Sequence, residues 1–235
     1  NLSAEKMQRI KVPLAIILFL AGMAGVLSLL TMEFNIPQET RELLESQFTS
    51  QQIKWLSLIN PTVLLIITVI IGTILHDKVN LDVPLIKRFL SIEKRGNAKK
   101  IFVSGIIGGI IAGFAITLFG IIYSPLMPDE FLELGRNIQP SLATRFLYGG
   151  ITEEILLRFG LMTLFTWLLY KIFKRLNAQI YWTAIILAAI IFAFGHFPAA
   201  YQAVDTPSAT LLSYVILANS VGGIILPALL TRLGV

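Results

Sequence analysis

Cysteine is absent from this chain of 235 residues, histidine occurs twice, and charged side chains make up only 14% of it. Without cysteine there is no disulfide framework, thiolate zinc site, iron–sulfur cluster or cysteine nucleophile, and the redox compartment stays undecided. The two histidines, His76 and His196, do not form an H-E-x-x-H motif. A zinc site built from Glu153, Glu154 and His196 is therefore a minor reading, and no metal or other cofactor is expected. What fills the space left by charge is apolar: 55% of the residues are hydrophobic and the mean hydropathy is +0.77, whereas ordinary soluble domains carry roughly 25% charge. This is the composition of an integral membrane protein. The formal charge of +5 does not point to nucleic acid, because the basic residues are gathered in particular loops between apolar runs, as in cytoplasmic loops of membrane proteins.

A helix crossing ~30 Å of hydrocarbon needs about 20 apolar residues. Runs of that length occur at 12–32, 55–75, 101–123, 144–170, 180–198 and 208–230. The first follows the basic "KMQRIK" and lacks a small-residue cleavage site, so it reads as a retained span and not a removed signal peptide. Orientation follows from the 19 lysines and arginines. Lys6, Arg9 and Lys11, the loop from Lys78 to Lys100 (including Lys87, Arg88, Lys94, Arg95 and Lys99), Lys171, Lys174, Arg175 and Arg232 lie on one side. The alternate loops hold only Arg41, Lys54, Arg136 and Arg145, among acids such as Glu39, Glu42, Glu45, Asp129, Glu130 and Glu133. The asymmetry predicts about six transmembrane helices in a single all-α bundle with both termini cytoplasmic.

Residues 1–100 hold two spans, an external segment "QETRELLESQFTSQQIKWL" and a basic internal loop; 101–235 form the remaining core. The external segment fits either a surface helix, since its apolar positions recur at helical spacing, or a solvated loop. The basic "KRFLSIEKRGNAKK" is placed to meet anionic lipid headgroups. In the third span, Gly105, Gly109 and Gly113 repeat every four residues beside Ser104 and Gly108, a pattern that lets helices approach closely. Packing within the chain is the favoured reading, and a homodimer through this helix the lesser one. His76, in "LHDKVN" at a span end, reads as an interfacial, non-catalytic histidine.

The fourth span contains "GGITEEILLRFG", with Glu153, Glu154 and Arg158 at membrane depth. An ionisable group there costs ~3 kcal/mol on insertion scales, so three within two turns need compensation. Glu154 and Arg158 stand four residues apart and can pair along a helix face. Glu153 is about 100° away around an α-helix and can point into a cavity. "IIFAFGHFPAA" places His196 at the close of the fifth span; a lone histidine is usually a packing residue, but a carboxylate and an imidazole together can hold and deprotonate a water. In the sixth span, "ANSVGG" offers Asn219 as a donor to a developing oxyanion or as an interhelical hydrogen bond beside close-packing glycines, the second being the favoured reading.

"EEILLR" and "FAFGH" fit the E-E-x-x-x-R and F-x-x-x-H motifs of the CPBP family, the CAAX prenyl proteases of type II, bacteriocin-processing enzymes and immunity proteins once called Abi, and the chain resembles that family over roughly residues 101–235. The resemblance implies an α-helical, metal-independent intramembrane glutamate endopeptidase. Glu153 would match its general base and His196 the water-activating partner, with Glu154 and Arg158 as the motif's other polar positions. Family enzymes carry a further H-x-x-x-N or H-x-x-x-D motif; here Val215 stands four residues before Asn219. A second alignment matches "ANSVGGIILPALLTRLG" to the glycine-rich penultimate helix and the turn ending at Gly234. On that alignment the last histidine-bearing helix is expected beyond Val235. The implied partners are membrane lipids and a peptide or membrane-protein substrate, in a multi-pass protein of a bacterial cell membrane. The alternative is a catalytically inactive scaffold or bacteriocin self-immunity protein of the same fold. A transporter ranks lower, because broken helices and paired repeats are not evident.

Overall fold

The structure, a computed structural model, describes residues 4–32, 38–90, 98–137, 140–204 and 206–232, with backbone alone at 4–10, 38–41, 87, 98, 137 and 225–232. Of the residues that carried the sequence reading, Lys94, Arg95 and Gly234 lie outside the described residues, and the side chains of Lys6, Arg9, Glu39, Arg41, Lys87 and Arg232 are not described.

Regular structure among the described residues is entirely helical. In chain order the helices are α1 (Ala4–Ser28), α2 (Gln38–Glu45), α3 (Ser50–Leu56), α4 (Ile59–Leu75), α5 (Pro84–Phe89), α6 (Ala98–Tyr123), α7 (Asp129–Asn137), α8 (Thr163–Phe173), α9 (Ala178–Phe194), α10 (Phe197–Ala203) and α11 (Ala209–Arg232). Short 3-10 turns at Leu29–Thr31, His76–Val79 and Ser124–Leu126 extend α1, α4 and α6, and π-helical stretches at Thr144–Thr152 and Ile155–Met162 lead into α8. Local chemistry marks several ends. Thr49 and Gln52 form a reciprocal capping box at the start of α3, Asn177 Oδ1 accepts from the Ile180 N–H to start α9, and Lys174 adopts a left-handed conformation (φ 54°) that closes α8. The segment expected to be external is thus helical, as α2 and α3, and not a solvated loop.

Five stretches are long and apolar enough to cross a membrane: Lys11–Thr31, Ser50–Val79, Lys99–Leu126, Thr144–Phe173 and Ala178–Ala203. They coincide with the first five apolar runs of the sequence. The sixth run falls on α11, which is an apolar helix over Ala209–Ile224 among the described side chains.

The chain forms two compact units, Asn1–Ile74 with Glu130–Gly160, and Leu75–Asp129 with Leu161–Val235. In the first, α1 lies along the π-helical stretch Thr144–Thr152. Hydroxyl groups staple the two. Thr31 Oγ1 lies 2.7 Å from Ser141 Oγ, Thr144 Oγ1 donates to the Ser28 carbonyl at 2.9 Å, and Thr152 Oγ1 donates to the Gly22 carbonyl at 2.8 Å. Contacts that rise along one segment fall along the other, so the pair is antiparallel. The approach depends on glycine: a Cβ on Gly25 would collide with Thr152 Oγ1 and the Leu147 carbonyl, and one on Gly22 with the Leu65 side chain. On α4, Gly72 faces the ring and carbonyl of Phe159, while Gly160 faces the Thr68 methyl. Close backbone approach with small residues and interhelical hydrogen bonds is what holds helices together where lipid removes most of the hydrophobic driving force.

In the second unit, α11 packs against both α6 and α9. A Cβ on Gly222 would stand 3.3 Å from Ile116 Cδ1, and one on Gly120 3.5 Å from the Tyr214 hydroxyl, so α6 and α11 also run antiparallel. Phe119 stacks on Tyr123 and Tyr214 at centroid distances of 4.4 and 5.8 Å. Ala184, Ala188, Ala189 and Ala193 bury the small-residue face of α9. Tyr181 Oη donates to the Val79 carbonyl at 2.8 Å and ties the first turn of α9 to the end of the α4 span. The glycine stripe of α6 is a different matter from the sequence expectation: a Cβ on Gly105, Gly109 or Gly113 would meet nothing within 4 Å among the described residues. The intramolecular close packing expected there is made by Gly22, Gly25, Gly72 and Gly160, because those glycines face a neighbouring helix and, among the described residues, the α6 stripe does not.

Candidate active site

The acidic motif sits where the fourth span changes its winding. From Thr144 to Thr152 the helix is π-wound, it takes α geometry at Glu153 and Glu154, and from Ile155 to Met162 it is π-wound again. The backbone N–H of Glu153 accordingly donates to the carbonyl of Tyr148, five residues back. Thr152 supports the widened turn from both sides. Its hydroxyl lies 3.4 Å from the Leu147 carbonyl as well as bonding Gly22, and the residue is fully buried. Local widening of this kind re-aims side chains and is frequent at functional sites.

Within that helix the three charges part. Arg158 donates from Nε to Glu154 Oε2, and from Nη2 to Glu154 Oε1 at 3.2 Å, a two-pronged charge-assisted pair. Glu153 stands outside it. Its carboxylate folds back over Gly149, with Oε2 3.9 Å from where a Cβ on that glycine would sit. No hydrogen-bond or ion-pair partner of the Glu153 carboxylate occurs among the described residues. The acid is therefore half-buried, held beside a notch, and left with its acceptor oxygens available.

His196 and Asn219 belong to the second compact unit, and Glu153, Glu154 and Arg158 to the first. His196 occupies a break between helices: α9 ends at Phe194, and Pro198 opens α10 within its first turn, where a missing N–H costs nothing. Its Nδ1 lies 3.1 Å from the Phe192 carbonyl, and its ring meets that of Phe192 edge-on at 5.1 Å. A carbonyl can only accept, so Nδ1 carries the proton and Nε2 of the neutral ring keeps its lone pair. Asn219 donates from Nδ2 to the Val215 carbonyl of its own helix at 2.8 Å. Next to it, the buried Ser220 hydroxyl has no hydrogen-bond partner among the described residues.

His76 is buried, at 2% exposure, with Nε2 3.0 Å from Asp77 Oδ1. It does not stand in for the family's second histidine near His196. Tyr181 fixes the first turn of α9 to Val79, and His196 lies about fifteen residues further on, roughly 20 Å along the helix. Among the described residues, no three His, Asp or Glu side chains gather as metal ligands. Tyr148, whose carbonyl receives the Glu153 N–H, and Gly149, over which the carboxylate folds, went unremarked in the sequence. The signal for them is the spacing of five and four residues before the acid, which acquires meaning only once the helix is known to be π-wound.

These features define an all-helical, multi-pass membrane protein with a polar motif built into one of its spans. Residues 136–234 match the family described as type II CAAX prenyl endopeptidase Rce1-like. The match takes in both motifs, and the resemblance drawn from them is borne out over that stretch. The family matched is one of CAAX-protease-like intramembrane endopeptidases. No curated protein and no solved structure matches the chain.

Proposed function

We propose that this protein is an intramembrane endopeptidase that hydrolyses a peptide bond without a metal, using Glu153 as general base and His196 as its partner on the attacking water. The observation that carries the reading is the family match over residues 136–234, which contains both motifs. Two local facts support it. Glu154 is engaged by Arg158 while Glu153 is not, and the Nδ1–Phe192 bond leaves His196 Nε2 as an acceptor. In the reaction, water oxygen attacks the carbonyl carbon and Glu153 takes its proton; the C=O electron pair moves onto oxygen. Collapse re-forms the carbonyl, breaks the C–N bond and passes the proton to the departing nitrogen. Glu154 and Arg158 orient the motif helix, and Asn219 is the donor that the sequence offers for the oxyanion. The charge asymmetry supports a cell-membrane location with both termini in the cytoplasm.

The test is cleavage of internally quenched peptides, prenylated and unprenylated, by purified full-length protein in nanodiscs. Glu153→Gln and His196→Ala each remove turnover while leaving the helical signature and melting temperature in place, and chelators leave it intact. Wild-type turnover in the Glu153→Gln protein sinks the assignment. If the wild-type protein cleaves no peptide of either kind, the inactive scaffold is the better description.

A further inference from the structure

We propose that the end of the second unit where Val79, Phe173 and Ala178 bound three spans is a binding surface for an anionic phospholipid of the surrounding bilayer, with Lys78, Lys174 and Arg175 holding its phosphate. The proposal does not depend on the endopeptidase reading. It is also distinct from the headgroup contact expected of "KRFLSIEKRGNAKK", because most of its cations come from the turn between α8 and α9.

The placement follows from where the chain turns. The stretch Ser50–Val79 ends at Val79, Thr144–Phe173 ends at Phe173, and Ala178–Ala203 begins just beyond it. The Tyr181 hydroxyl donates to the Val79 carbonyl at 2.8 Å, and the turn His76–Val79 packs against α8. Two loops far apart in the sequence thus meet at one end of the unit. Lys78 stands on one of them, Lys171, Lys174 and Arg175 on the other, and all four side chains are exposed. Lys174 and Asn80, one on each loop, are the two non-glycine residues with positive φ among the described residues. Left-handed residues of this kind stop a helix abruptly. The chain therefore turns back at the span ends, which keeps these cations at headgroup depth.

Charge at this end is one-sided. Asp77 is the neighbouring carboxylate, and His76 Nε2 holds it at 3.0 Å. The side chains of Lys78, Lys174 and Arg175 have no ion-pair or hydrogen-bond partner among the described residues. Lys171 Nζ lies over the Trp167 ring, 5.5 Å from its centroid. Between these cations, Ile172 and Phe173 are 70% and 52% exposed. Cationic heads beside exposed apolar side chains match an amphiphile, with phosphate against the first and acyl chains along the second. The occupant is anionic and not zwitterionic, because a choline group would bring its own cation against the cluster, whereas phosphatidylglycerol brings an uncompensated negative charge.

The experiment uses the full chain in nanodiscs of phosphatidylcholine doped with phosphatidylglycerol, one lipid or the other brominated on its acyl chains. Trp167 is made the sole tryptophan by Trp55→Phe and Trp182→Phe. Brominated phosphatidylglycerol quenches Trp167 more strongly than brominated phosphatidylcholine at equal fraction, and the excess shrinks as salt screens the charges. Lys174→Gln lowers the preference about fivefold, the weight of one basic residue at an anionic surface, and Lys174→Arg keeps it. Lys78→Gln, Lys174→Gln and Arg175→Gln together abolish it with the melting temperature unchanged. Equal quenching by the two lipids, or a preference that survives the triple substitution, overturns the proposal. If the triple variant does not fold, the single pair decides: equal preference in Lys174→Gln and Lys174→Arg overturns it. Spin-labelled forms of the two lipids give the same ratio for the chain with all its tryptophans, and equal immobilised fractions there overturn it as well.

Discussion

Gly25→Ala is the smallest change that reaches the acidic motif through the fold. The added Cβ would overlap Thr152 Oγ1 and the Leu147 carbonyl oxygen, and would lie 2.8 Å from the Leu147 carbonyl carbon. Two of these three atoms are backbone, so no rotamer change removes the clash. Either α1 or the π-helical stretch must shift. Overpacking of this kind costs about 1–3 kcal/mol. Shifting the pair also strains the Thr152–Gly22 hydrogen bond, whose loss adds about 1 kcal/mol in a membrane setting. A total near 2–4 kcal/mol corresponds to a drop in melting temperature of about 5–15 °C for a protein of this size. Gly109→Ala on α6 is the matched control, because a Cβ there meets nothing within 4 Å. With helix propensity alone in play, it stabilises by up to ~1 kcal/mol. The assay is thermal unfolding of both variants in the same detergent, followed by tryptophan fluorescence. Opposite signs are expected. Turnover of Gly25→Ala falls as well, since Thr152 immediately precedes Glu153 and a displacement near 1 Å can cost about 100-fold. Two variants that shift equally, or a Gly109→Ala that is the more damaging, refute the assignment of which glycines hold the fold.

Thr152→Val keeps the shape and removes the hydroxyl that bonds Gly22; it destabilises by about 1 kcal/mol in the same unfolding assay. Glu154→Gln and Arg158→Met each destabilise more than their combination, because each alone strips one charge from a pair at membrane depth. The double-mutant cycle shows a coupling of about 1–3 kcal/mol, and additive effects contradict the pairing. Tyr181→Phe loses the bond to the Val79 carbonyl and costs about 1 kcal/mol. Hydrogen exchange rises at the Leu81 amide, whose partner is the His76 carbonyl at 3.0 Å.

Apolar run length was sufficient to find the five long spans, since crossing a bilayer depends on local composition over about 20 residues. The pairing of Glu154 with Arg158 was likewise legible, because four-residue spacing is local. The conformation of the segment 38–56 was not decided by its periodicity alone; the capping box of Thr49 and Gln52 marks the start of its second helix, α3. For glycines, spacing was the wrong guide. The regular stripe of α6 meets nothing within 4 Å among the described residues, while Gly25 and Gly160, which stand in no such repeat, make close approaches. Whether a glycine meets a neighbouring backbone depends on helix rotation and on the partner's position, and neither is written in a four-residue period.

What the sequence by itself determined is the membrane class, the five long spans and the motif that places the chain beside the CAAX proteases. These depend on short-range quantities: hydropathy over a span, charge in a loop, and side-chain type at fixed spacing. Only the tertiary structure decided that α1 grips the motif helix through Gly22, Gly25 and Thr152, and that the helix is π-wound before Glu153, which brings the Tyr148 carbonyl and Gly149 beneath the acid. The physical reason is that winding and close approach are settled jointly by two helices in contact, so neither helix's residues reveal them alone.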